Sequence, residues 1–282
     1  MPAYVQAHVR FGEMRMDLRP LAVLALLASS PALAVEHIPM AAHRALYQLS
    51  MESSRGDVSA ARGTMAYEVT DACEGWATRQ RLAMTVTNRD GQDIEMVSDY
   101  ATWESKDGLS MRFRMRQTTD SAVTEQTEGT ARLDSAGGTG TIHYTVPADK
   151  EIGMPKGTVF PMAHTEAIID AAGAGKKFIT LPIFDGTGDS GAQDSSVFIV
   201  NWGATAHPPY PALANLPSGR VRIAFFDRDP KPGNDNKPLG SPDYEVGMTY
   251  YANGVANDLH MDFSDFIMQG ALSEFTETPP HC

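Results

Sequence analysis

The chain has 282 residues, a formal net charge of −12 and only two cysteines. That length buries a substantial core in one large domain or two small ones. The acidity argues against nucleic acid and against nonspecific attraction to anionic membranes, and the absence of a CxxC spacing argues against redox catalysis.

The first feature along the chain is an export signal. Arg15 and Arg19 precede an apolar run from Leu21 to Ala28, and Ala32-Leu33-Ala34 follows. A positive region, a short apolar core and an A-x-A end make a secretory signal peptide; the run is too short to span a bilayer. Residues 1–34 are expected to be removed after Ala34, with residues 1–13 as surplus from an upstream start codon. The remaining 35–282 is expected to be a soluble protein outside the cytoplasm, not membrane-spanning. Three basic and two acidic residues leave with the signal, so the mature net charge is −13.

From there the hydrophobic period is two almost throughout. Leu82, Met84 and Val86 alternate with Arg81, Ala83 and Thr85. Met111, Phe113 and Met115 alternate with Arg112, Arg114 and Arg116. Further ladders are Tyr244, Val246, Met248, Tyr250 and Leu259, Met261, Phe263. Such alternation sets one face on a core and the other in water. Asp90-Gly91, Asp107-Gly108, Gly137-Gly138 and Asn253-Gly254 fall between runs and suit tight hairpins. The reading is an antiparallel meander. Strands are expected near 45–51, 60–70, 75–88, 92–104, 110–118, 125–134, 139–146, 176–184, 196–203, 219–227, 243–252, 255–264 and 266–276.

One segment breaks the pattern. Over 161–172, Ala163, Ala167, Ile168 and Ala171 recur at helical spacing. Pro161 suits a first helical position, Glu166 lies near the positive end, and Gly173 suits the stop. A lone helix within a meander either caps an open sheet or plugs a barrel. Two loops follow, 185–194 and the proline-rich 227–243. Neither separates regions of different composition, so 35–282 is expected to be one domain.

Cys73 and Cys282 both lie in the mature part and permit one intramolecular pairing. Such a bridge encloses about 210 residues and is worth at most about 5 kcal/mol in the chain-entropy model. Two free thiols, or a bond to another molecule, are the alternatives.

Several residue groups invite a chemical reading. Ala41-Ala42-His43 and Gly188-Asp189-Ser190-Gly191, with Asp93 or Asp99 between, resemble serine-protease motifs. The context refuses a triad, since Ser190 sits in a polar loop and His43 lies nine residues into the mature chain. Asp185, Asp189 and Asp194, or Asp227, Asp229 and Asp235, lack the alternate-position acids and closing glutamate of a calcium loop. The histidines are scattered without zinc spacing, so no metal or other cofactor is expected. Arg112, Arg114 and Arg116 share one strand face about 7 Å apart. They form a basic ridge that suits phosphate or carboxylate groups, or else pairs with Glu125 and Glu128. Twelve methionines in the mature chain, several on inward ladder positions, either line a cavity for greasy cargo or fill gaps in curved sheets.

A set of motifs spans nearly all of the mature chain. It comprises Cys73-x-Gly75-Trp76 through Gln80, Trp103-Glu104-Ser105-x-Asp107-Gly108, Pro155-x-Gly157-Thr158-x-Phe160-Pro161-x-x-His164, Phe184-Asp185-Gly186, Tyr244-Glu245, Tyr251-x-Asn253-Gly254-Val255 and Pro280-x-Cys282. Together they resemble the cell-envelope integrity EipB family of exported proteins from Gram-negative bacteria. The resemblance implies a periplasmic, all-β, mainly antiparallel spiral: one open, barrel-like sheet of about a dozen or more strands wrapped around a central helix, similar to lipoprotein-carrier folds. It also implies a Cys73–Cys282 disulfide and no catalytic residues. The resulting expectation is a non-catalytic protein supporting envelope integrity, with a lipid, lipoprotein or peptide cargo, or a periplasmic protein partner. Its binding wall would be Met111, Phe113 and Met115, with the arginine ridge as a second candidate. The alternative is a hydrolase of an envelope polymer, which would need a convergent pair of buried acids.

Overall fold

A computed structural model describes residues 38–228, 240–263 and 265–279. The expected signal peptide, most of the 227–243 loop and Cys282 lie outside the described residues. The described residues form fifteen strands and one α-helix. In chain order the strands are β1 (His43–Ser54), β2 (Val58–Asp71), β3 (Gly75–Asn88), β4 (Asp93–Ser105), β5 (Ser110–Thr119), β6 (Ala122–Leu133), β7 (Gly140–Val146) and β8 (Lys150–Met154). After helix α1 (Pro161–Gly173) come β9 (Phe178–Ile183), β10 (Gln193–Ile199), β11 (Gly203–Ala204), β12 (Pro217–Asp227), β13 (Tyr244–Tyr251), β14 (Ala256–Asp262) and β15 (Phe266–Glu277).

The alternation is realised in three dimensions. On β5, Met111, Phe113 and Met115 are buried while Arg112 and Arg114 are exposed. Thr127, Gly129, Ala131 and Leu133 of β6 point inward in the same phase. Turn chemistry also holds: Gly91, Gly108, Gly137 and Gly254 all take positive φ. The β5–β6 turn uses Asp120 and Ser121 in the left-handed region instead, at φ 48° and 68°, a pair without the glycine that marks the others.

The strands make one open sheet, ordered β8-β7-β6-β5-β4-β3-β2-β1-β15-β14-β13-β12-β10-β9, with β11 beside β12. Every ladder between neighbours is antiparallel. The first and last strands therefore meet in the middle, and the two edges are β8 and β9. Helix α1 carries the chain from one edge to the other. The edges approach at a single parallel bridge, where Val159 N donates to Pro182 O at 2.9 Å and Phe184 N to Val159 O at 3.0 Å.

The largest departures from the pattern reading are one strand and one segment. β8 was not expected, because Lys150–Met154 lies between Pro147 and Pro155 and includes Gly153, which obscures its alternation. β10 starts at Gln193 rather than 196, so the polar 185–194 segment gives up its end to pairing with β9 and β12.

Three apolar clusters fill the curled interior. Met111, Phe113, Ala131, Leu133, Ile142, Tyr144 and Met154 pack with Phe160, Phe184 and Ala192 across β5–β8. Ile168, Ala171 and Ala172 of α1 pack on Ile183, Val197, Ile199 and Val221. The third cluster joins Tyr47, Leu49, Met84 and Val86 to Tyr251, Leu259 and Met268.

Candidate functional site

Between the three clusters the interior is hollow. A cavity of about 860 Å³ runs among the inward faces of β1–β5, β12–β14, the start of α1 and the 185–193 segment. That is the size range of small-molecule sites. Its apolar wall includes Met65, Leu82, Met115, Phe225, Met248 and Met261. Methionine thioethers repack around differently shaped apolar guests at little cost.

The polar groups of the wall are largely satisfied by the protein itself. The Tyr100 hydroxyl donates to Asp185 O at 2.5 Å, and Tyr47 donates to Ala256 O at 2.8 Å. Burial raises the pKa of Tyr67, Tyr100, Tyr244 and Tyr250, so these phenols remain protonated donors. Asp185 Oδ1 accepts from Thr187 N at 2.9 Å and Thr187 Oγ1 at 2.8 Å. Burial raises the Asp185 pKa against the pull of those bonds, and its charge adds to the burial that raises Tyr244.

Helix α1 is fixed to the cavity edge by a residue on another strand. Phe160 at the N-cap supplies no side-chain cap. Glu104 of β4, 2% exposed, takes that role: Oε2 accepts from Met162 N at 2.8 Å and Oε1 from Ala163 N at 3.0 Å. Two orphan N–H groups and the positive end of the helix dipole thus meet one carboxylate. Burial pushes its pKa up to about 7, with the two N–H bonds opposing and Glu166 assisting. Glu104 shares the inward phase of Tyr100 and Thr102 on β4, and an acid in an inward phase is a signal that alternation analysis can detect.

One turn inside the helix, His164 lies 4% exposed with Nε2 2.8 Å from Ser195 Oγ. Ser195 Oγ donates to Leu181 O at 2.9 Å. A serine has one proton and a carbonyl only accepts, so His164 Nε2–H is the donor to Ser195. Burial lowers the histidine pKa to about 4. A neutral ring whose proton already faces the serine does not serve as its base. Ser195 itself is fully buried and is not part of the cavity wall.

The residues singled out from sequence have the following places. His43 and Ser190 both border the cavity, yet His43 Nδ1 bonds Ala41 O at 2.8 Å and its ring packs against Tyr67 and Phe275. Asp93 accepts from Thr87, and Asp99 is held by Arg81. Asp189 pairs with Lys150, and Asp194 with Arg228. Among the described residues no group of three or more histidines, cysteines or acids is placed to hold a metal ion. Met115 borders the cavity, whereas Met111 and Phe113 sit in the packed cluster of β5–β8. Arg112 lies over the Trp103 ring at 4.9 Å, and Arg114 and Arg116 stand on the outer face. Cys73 takes a left-handed turn conformation, φ 65°, with its N–H on Asp71 Oδ1 at 3.0 Å, and is not a free thiol. None of the described helices is long and apolar enough to cross a membrane.

Comparison with known proteins matches this arrangement. The family model described as EipB-like matches residues 34–279. The chain is 31% identical over 252 residues to the cell envelope integrity protein EipB of Brucella abortus (strain 2308), covering 87% of this chain and 86% of that protein. A crystal structure from Brucella abortus, described as a beta-barrel-like protein of domain of unknown function DUF1849, superposes with a TM-score of 0.77 at 26% identity. The match covers 86% of this chain and all of the other.

Proposed function

Since the chain belongs to the EipB-like family, we propose that it is an exported, non-catalytic protein supporting cell-envelope integrity, which holds an acyl-bearing cargo (a lipid or a lipoprotein) in its interior. The observation that carries this reading is the methionine-rich cavity of about 860 Å³ inside the open spiral. An acyl chain asks for apolar, deformable walls and few fixed polar partners. The Tyr47 and Tyr100 hydroxyls already donate within the protein, so their oxygens and Asp185 meet a polar head as acceptors. The reading includes periplasmic location, cleavage after Ala34, one domain over 35–282 and a Cys73–Cys282 disulfide; the continuous sheet and the bonded state of Cys73 support the last two. A peptide cargo fits less well, because an extended backbone needs a row of unpaired donors and acceptors.

The hydrolase reading asks for two acids facing one cleft. Asp185, Asp189, Asp227 and Asp243 are among the acids that border the cavity, but each is engaged by the protein. Asp185 accepts from Thr187, Asp189 pairs with Lys150, Asp227 accepts from Gln193 and Asp243 from Asp227 N–H. Both Glu104 oxygens are occupied by helix N–H groups, and Glu104 is not part of the wall. The test is native mass spectrometry of protein purified from its own periplasm. Lipid is expected to co-purify with the wild type and with Ser190→Ala, and to be depleted by Met115→Trp, which fills the wall. Loss of function in Ser190→Ala with a silent Met115→Trp would instead favour the enzyme.

A further inference from the structure

The opposite face of the same strands carries a second concavity. A groove of about 740 Å³ crosses the outside of β15 and β1–β5 and is bordered by five arginines against three acids, Glu68, Asp99 and Glu274. Register explains its shape. Arg79 of β3 is paired with Ala101 of β4, and Ala101 with Arg114 of β5; one step along, Arg81 is paired with Asp99 and Asp99 with Arg116. Strands two apart lie about 10 Å from each other, and alternate residues about 7 Å apart. Four guanidinium-bearing side chains therefore stand at the corners of a rectangle of roughly 7 by 10 Å whose floor is one methyl group and one carboxylate.

Partners inside this rectangle are unevenly shared. Asp99 holds Arg81, and Glu68 holds Arg44. Among the described residues Arg79, Arg114 and Arg116 are in no ion pair, although the register sets Glu68 opposite Arg79 and Glu128 opposite Arg114. The small side chain of Ala101 leaves room for a tetrahedral anion to reach Arg79 and Arg114 together. Arginine suits that geometry, because its planar fork donates two parallel bonds to phosphate oxygens.

We propose that this groove binds the phosphate headgroups of an anionic phospholipid surface, seating the protein on the membrane by its outer face. Charge complementarity selects the occupant. The whole chain carries −12, so an anionic bilayer repels it except where basic side chains gather. A bilayer presents many phosphates side by side, which matches several arginines better than one isolated ion does. The proposal stands independently of what fills the interior.

The experiment is co-flotation of residues 35–282 with vesicles of phosphatidylcholine alone or with about 30 mol% phosphatidylglycerol. Binding is expected to the anionic vesicles only, and to be lost in about 0.5 M salt. Arg79→Gln combined with Arg114→Gln should weaken it about 25-fold, at about fivefold per arginine near the surface. Arg132→Gln, exposed on β6 outside the groove, should bind like the wild type, and all variants should share one melting temperature. Absence of wild-type flotation would overturn the proposal. So would a double variant that floats normally, or inorganic phosphate bound by the protein in the absence of any vesicle binding. Self-association of the wild type that the double variant loses, without flotation, would show a second copy as the occupant and equally overturn it.

Discussion

Met111 and Met115 sit four residues apart on one face of β5, yet they end in different surroundings. Met111 belongs to the filled end of the spiral, where Phe113, Tyr144 and Phe184 meet edge to face at 5.1–6.2 Å between ring centroids. Met115 belongs to the hollow end and borders the cavity. The strand is the same and the side chain is the same. What differs is the packing: Met111 shares a cluster with Phe184 and Ala192, whereas Met115, though 4% exposed, belongs to none of the three apolar clusters. In this sheet, curvature creates interior space, and the crossing segments decide which part of it is filled.

The largest effect should come from emptying the filled end. Phe113→Ala should cost about 3–5 kcal/mol, because a close-packed aromatic site cannot collapse around the loss. Met115→Ala should cost about 1–2 kcal/mol, since it only enlarges an existing cavity. Urea titration of both variants checks the difference, and equal losses would erase the distinction between the two ends.

Next comes the helix that borders the hollow end, where its own His164 and the capping Glu104 of β4 act in opposite senses. Glu104 has a folded pKa of about 7 against an ordinary 4.5, so the folded state holds the proton more tightly and stability falls as pH rises through that window. His164 has a folded pKa of about 4 against 6.5, so the unfolded state holds the proton more tightly and stability falls as pH drops through that window. Each effect is on the order of 3 kcal/mol, and in the wild type they largely cancel between pH 4.5 and 6.5. Glu104→Gln should leave stability rising with pH there, and His164→Gln should leave it falling. Denaturant midpoints across the range test the signs; parallel slopes in the two variants would contradict the placement of these groups.

Smaller effects should separate the two ends. Gly186 has φ 76°, and an added Cβ would stand 2.6 Å from Phe113 Cγ, inside the filled end. Gly254 has φ 84°, and its added Cβ would clash with the flexible tip of Met40 and touch Thr165 Cγ2 at an ordinary 4.0 Å. Gly186→Ala is expected to cost about 2–3 kcal/mol and Gly254→Ala about 1 kcal/mol, read as melting temperatures.

Much of this architecture is local in origin and therefore legible. Alternation needs only neighbours, so the ladders at 82–86, 111–115 and 244–250 could be read directly, as could the helix starting at Pro161. The hollow was not legible. Whether Met115 packs or borders a cavity depends on residues 184–192, some 70 positions away in sequence. The Glu104 cap and the His164–Ser195 bond were missed for the same reason, since each joins strand and helix across the interior. The arginine ridge was visible on β5 alone. Its other half, Arg79 and Arg81, became its neighbour only through the β3–β4–β5 register.

The pairing of β1 with β15 has a consequence in time. A ribosome delivers β1 first and β15 last, so the centre of the sheet is the final part that can be assembled. Hairpins from β1 to β8 can form in sequence, each on the one before, because every contact is with a near neighbour. Throughout that period β1 presents an unpaired edge, the kind of template that invites association with other chains. A chain lacking Phe266–Glu277 would keep that edge, so the final strand of the sheet is also what shields the first from other chains.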